Sequence, residues 1–105
     1  MPKYEPGDVV FASFPFEDSR ATKGRPVVII EVFPDASFTC MITGTDKRGT
    51  HKGIWVEKDS EAGQQMSLLK DSFINAERTV EIKNYMIHGI IGYCPLMDEL
   101  EDLVD

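Results

Sequence analysis

Long apolar runs are missing from this sequence: none extends far enough to cross a bilayer, so membrane-spanning helices are not expected. The stretch Met1-Pro2-Lys3-Tyr4-Glu5-Pro6-Gly7 lacks the apolar core of a signal peptide, and the expectation is a cytoplasmic protein. Cysteine is scarce. Cys40 and Cys94 are the whole complement, neither stands in a C-x-x-C pair, and both sit in apolar stretches. They read as buried, reduced thiols acting as small hydrophobes, although sequence does not give the separation a disulfide would need. Histidine is as sparse: His51 and His88 have no metal-ligand spacing to each other or to the cysteines, so neither metal nor cofactor is expected. Internal repeats, low-complexity segments and linkers are absent too. One domain over residues 1–105 is expected, large enough to bury a core without staples.

What is present starts with an uneven charge. The net charge is −7, yet residues 1–52 carry seven Lys and Arg against seven acids. Residues 53–105 hold four basic and eleven acidic side chains, and five of those acids (Asp98, Glu99, Glu101, Asp102, Asp105) crowd the last eight positions. The first half can therefore present a basic surface, and bulk charge does not exclude an anionic partner.

The hydrophobic pattern is that of short strands. Residues 7–16 are β-branched and aromatic, with Pro15 near the end. A polar loop over 17–24 ends in Gly24, and residues 25–33 (Arg-Pro-Val-Val-Ile-Ile-Glu-Val-Phe) read as a largely buried strand. A Pro34-Asp35-Ala36 turn leads to a third strand over 37–43, a basic loop over 44–52, and a short strand over 53–57. Residues 66–74 and 77–82 have further strand-like character, and 83–88 suggest one or two helical turns closed by Gly89. The clearest helix is the last: after Pro95, Leu96, Met97, Leu100 and Leu103 recur at three- and four-residue spacings, a stripe for docking on the sheet. The expected class is mainly β, a small barrel or a curled sheet closed by that helix.

Several segments resemble landmarks of the MazF/PemK-type toxins. They are Pro6-Gly7-Asp8-Val9-Val10, Gly24-Arg25-Pro26-Val27-Val28-Ile29-Ile30 and the strand end Met41-Ile42-Thr43. Ser72-Phe73-Ile74, Thr79-Val80-Glu81-Ile82 and Ile90-Ile91-Gly92, then a terminal helix, continue the likeness in order over nearly the whole chain. The resemblance implies an SH3-like barrel of the CcdB/MazF kind, a homodimer, and sequence-selective, metal-independent cleavage of single-stranded RNA. It also implies an antitoxin partner whose extended segment covers the RNA groove, and it assigns the catalytic roles to Arg25 and Thr43. Two positions depart from the pattern. Some members carry an acidic base on the strand that here reads Ile74-Asn75-Ala76, and an arginine nearby where this chain has Phe73 or Ile74.

The residue types suit that chemistry. RNA supplies its own nucleophile: the 2′-OH, held in line with the adjacent phosphorus, gives a 2′,3′-cyclic phosphate and a 5′-OH end without water. A guanidinium such as Arg25 matches phosphate geometry and keeps its charge, and a hydroxyl such as Thr43 donates to a phosphoryl oxygen. Arg20, Lys23, Thr45, Lys47, Arg48, His51 and Lys52 lie in two loops flanking those residues and would track the backbone, with Phe16 or Trp55 for base stacking. Read without the resemblance, Arg25 is a solvated charge or a partner of Glu17 or Asp18, and Thr43 a good β-former. Three other functions compete. One is a binding module without catalysis. Another is a gyrase poison of the CcdB type, disfavoured by the tryptophan-free end Glu101-Asp102-Leu103-Val104-Asp105. The last is Cys–His nucleophilic chemistry.

Overall fold

Each valine- and isoleucine-rich stretch becomes a strand. The computed structural model describes residues 4–14 and 23–104, leaving aside the side chains of Phe14 and Lys23. Strand β1 spans Asp8–Phe14, β2 Lys23–Val32, β3 Ala36–Thr43, β4 Gly53–Val56, β5 Ser72–Lys83 and β6 Ile87–Tyr93. A short helix α1, Glu61–Gln65, precedes β5, a 3-10 turn over Asn84–Met86 precedes β6, and α2, Met97–Val104, comes last. All pairings are antiparallel, in the spatial order β4-β5-β3-β2-β1-β6. Among the described residues, β4 and β6 are the edges of an open sheet rather than partners in a closed ladder.

Unbroken apolar runs such as Val27-Val28-Ile29-Ile30 follow from burial on both faces, since side chains alternate across a strand. Val9, Val28, Cys40, Ile42 and Ile74 pack on one face with Met66 and Leu100. Val10, Ala12, Val27, Ile29 and Ile82 pack on the other with Tyr4 and Ile87. The terminal helix covers the first face through Leu96, Met97, Leu100 and Leu103, the stripe that its spacing indicated. Cys40 and Cys94 are free and buried in that same cluster. Burial, and secondarily Cys94, pushes the Cys40 thiol up to about 12, and burial raises Cys94 as well, so neither is a ready nucleophile.

Two expectations change, and one helix appears where none was expected. Polar residues 58–65 contain α1, because the Ser60 hydroxyl accepts a hydrogen bond from the Gly63 N–H at 3.0 Å and caps the helix. Residues 66–71 are turns, and 72–83 form one long strand instead of two. The helical turns expected over 83–88 shrink to Asn84–Met86. Ile87, His88 and Gly89 instead belong to β6, where Ile87 pairs with Ala12 and Gly89 with Phe11. Available backbone partners on β1 outweigh local helical preference there. Arg20, Phe16, Glu17 and Asp18 lie outside the described residues, as does the side chain of Lys23. No described helix is long and apolar enough to cross a membrane.

Leu100 is fully buried between α2 and the sheet. Leu100→Ala is expected to lower unfolding free energy by about 2–5 kcal/mol through lost transfer energy and a residual cavity. Urea unfolding followed by circular dichroism checks this, and a change below about 0.5 kcal/mol would mean that α2 is not docked as described.

Candidate functional site

Antiparallel register brings Arg25 and Thr43 together. Val27 of β2 pairs with Met41 of β3, and two residues further along each strand, on the same face, stand Arg25 and Thr43. Met41 in turn pairs with Asn75 of β5, and Asn75 with Gly53 of β4. Gly53 is required there: a Cβ would lie 2.2 Å from the carbonyl oxygen of Ile74. These strands floor a cavity of about 200 Å³ lined by Arg25, Met41, Thr43, Lys47, His51, Asn75 and Arg78.

Arg78 reaches the cavity through a bulge. The β3–β5 ladder runs Met41 to Asn75 and then Cys40 to Thr79, so residues 76–78 are extra on β5. An odd insertion reverses the alternation, putting Arg78 on the face of Asn75 when a regular strand would put it opposite. The bulge is tied down locally. The Ala76 N–H donates to the Lys52 carbonyl at 2.9 Å, the Glu77 N–H donates to Asn75 Oδ1 at 3.0 Å, and the Lys52 N–H donates to the Glu77 carboxylate.

The loop from Gly44 to Lys52 supplies the remaining lining. Thr50 and His51 N–H groups donate to the Lys47 carbonyl at 2.9 and 2.8 Å, a turn that sets Lys47 and His51 on the cavity. The Thr45 N–H donates to Thr43 Oγ1 at 3.2 Å, which occupies an oxygen lone pair and leaves the Thr43 O–H to donate to a ligand. Arg48 turns elsewhere. Its guanidinium bonds the Asp46 carboxylate, at 2.6 Å for the shortest contact, and lies 5.2 Å from the centroid of the Trp55 ring. Lys52 contributes its backbone to the bulge.

Of the residues singled out from sequence, the structure brings Arg25, Thr43, Lys47 and His51 into one cavity, with Thr45 bracing Thr43 from behind. Arg78 and Asn75 join them without having been foreseen in that place. A neighbouring cavity of about 250 Å³ shares Arg25 and adds Lys70, with Gly24, Pro26, Ile42, Gly44 and Ser72 around it. Among the described residues no Asp or Glu lines either cavity, and the described cations there are Arg25, Lys47, Arg78 and Lys70, in a chain of net charge −7. His51 bonds Asn75 and His88 bonds Ser13, so among the described residues neither histidine partners a cysteine as Cys–His chemistry would require. Among the described residues no three His, Cys, Asp or Glu side chains group as metal ligands. The chain matches no protein-family model and no curated protein.

The Arg48 guanidinium, chiefly through its side-chain hydrogen bonds and then the Arg48 backbone N–H, holds Asp46 below the usual carboxylate range. A depressed value means that this pairing is intact above the ordinary range and is lost only as pH falls through the lowered one. In a carbon-detected NMR titration Asp46 is expected to titrate below the usual carboxylate range, and Arg48→Ala to raise it. An unchanged Asp46 in that variant would contradict the pairing.

Proposed function

We propose that this chain is a toxin of the MazF/PemK type: a metal-independent endoribonuclease that cuts single-stranded RNA at selected sequences. The observation that carries the proposal is the cavity. Three cations, a threonine hydroxyl and a histidine converge there, with no acid among the described lining residues, in a protein whose net charge is −7. Such a constellation suits a phosphodiester, whose non-bridging oxygens gain charge as the 2′-oxygen bonds to phosphorus and the 5′-oxygen leaves. Arg25 and Arg78 offer guanidinium forks to those oxygens, Thr43 a hydroxyl donor, and Lys47 a further charge. The cavity around Lys70 extends the basic track to an adjoining phosphate. The same reading takes the curved sheet as an SH3-like barrel, the protein as cytoplasmic, and an antitoxin segment as the occupant of the groove when RNA is absent.

Next to the basic track lies an apolar depression of about 500 Å³ lined by Phe11, Pro26, Leu68, Leu69 and Ile91. On this reading a second copy of the chain covers it, giving the homodimer. Leu69 is 95% exposed and Ile90 54% exposed, more than an isolated chain has reason to show. Those residues also favour the second reading, a binding module without catalysis.

Incubating the protein with a long single-stranded RNA in EDTA separates the two. The ribonuclease reading expects discrete cuts with 5′-OH ends, a loss on the order of 10²–10³ in rate for Arg25→Ala, and smaller losses for Thr43→Ala and Arg78→Ala. Folded wild-type protein that leaves several RNA sequences intact would favour the binding module instead.

A further inference from the structure

Asn75 is 3% exposed, a polar side chain held in the interior beside the cavity. Both ends of its amide are engaged: Oδ1 accepts the Glu77 N–H at 3.0 Å, and Nδ2 lies 2.8 Å from His51 Nδ1. The first contact fixes the second. A backbone N–H can only donate, so the atom facing it must be the amide oxygen, and the NH₂ group must face His51. An amide NH₂ can only donate as well. His51 Nδ1 therefore carries the lone pair, and the ring proton sits on Nε2. The bulge that turns Arg78 toward the cavity thus also sets the tautomer of His51.

We propose that His51 serves the cavity as a neutral hydrogen-bond donor through Nε2–H, and that Asn75 is the positioning residue that holds it in that form. With Nδ1 occupied, Nε2 is the ring nitrogen left for a ligand, and it presents a hydrogen rather than a lone pair. His51 is therefore not the acceptor of the 2′-OH proton. Its acceptor is an anionic oxygen, and Arg25, Lys47 and Arg78 around the same cavity favour that class of ligand. This inference rests on the ribonuclease reading only in naming the oxygen as phosphoryl. The tautomer itself follows from the hydrogen bonds.

Long-range ¹⁵N–¹H correlation spectra of the histidine side chains test it directly. Wild-type His51 is expected to show a protonated Nε2 and an unprotonated Nδ1. Asn75→Asp keeps an acceptor for the Glu77 N–H but removes the donor to His51, so the proton should move to Nδ1. A wild-type ring protonated at Nδ1, or an Asn75→Asp ring unchanged from wild type, would overturn the assignment. On RNA, His51→Gln keeps an N–H donor but cannot exchange a proton. It should recover about ten- to a hundredfold of the cleavage lost in His51→Ala, the span of one hydrogen bond to a charged group. Equal losses in the two variants would overturn the donor role. If wild type cuts no RNA, the ribonuclease reading fails separately, and a titration with inorganic phosphate decides the donor role. Movement of the His51 Nε2–H resonance on adding phosphate supports it, and a stationary resonance overturns it.

Discussion

Three extra residues in β5, between Asn75 and Thr79, decide which side chains meet in the cavity. A regular ladder through this stretch would leave Arg78 on the far face of the sheet. The insertion turns Arg78 toward the cavity, and the Glu77 N–H donates to the side chain of Asn75. Because that carboxamide is spent on one side, its other side has a single polarity, and His51 inherits it. The bulge also anchors the loop after β3, since the Lys52 carbonyl accepts from the Ala76 N–H and the Lys52 N–H donates to the Glu77 carboxylate. Floor, loop and histidine are therefore coupled through one irregularity, in keeping with the tendency of bulges to re-aim side chains near functional sites.

The electrostatics of the cavity point the same way. Arg25, Lys47 and Arg78 line one cavity, and an anion entering it would interact favourably with each of them. Arg48 is engaged by Asp46 and Trp55, which makes it a brace of the loop. The acidic residues of α2 belong to a different element, docked on the opposite face of the sheet through its apolar stripe.

The strands were legible because β-branched residues crowd them, and doubly buried strands such as β2 announce themselves as unbroken apolar runs. The terminal helix was legible from the spacing of Leu96, Met97, Leu100 and Leu103. Residues 83–88 were not, because β6 depends on backbone partners offered by β1, a long-range fact that no local window contains. Helix α1 was hidden in a polar run, although Ser60 three residues before Gly63 carried the capping signal. In the site, Arg25 and Thr43 were singled out by resemblance, and the Val27–Met41 register gives the physical reason that they meet. Arg78 escaped because strand alternation is the only rule sequence offers, and an odd insertion inverts it. Asn75 read as a missing base. Its role emerges only once both ends of its amide have partners.

The central claim is that the cations gathered by β2, the loop after β3 and the bulge form a site for an RNA backbone. The most direct test is the affinity of a fully 2′-O-methylated single-stranded oligonucleotide, which cannot be cut, measured across a range of salt concentrations. The account predicts binding that weakens as salt rises, with the logarithmic slope reduced by about 0.7 for each contact removed by Arg25→Ala or Arg78→Ala. Binding indifferent to salt, or unchanged in both variants, would contradict it.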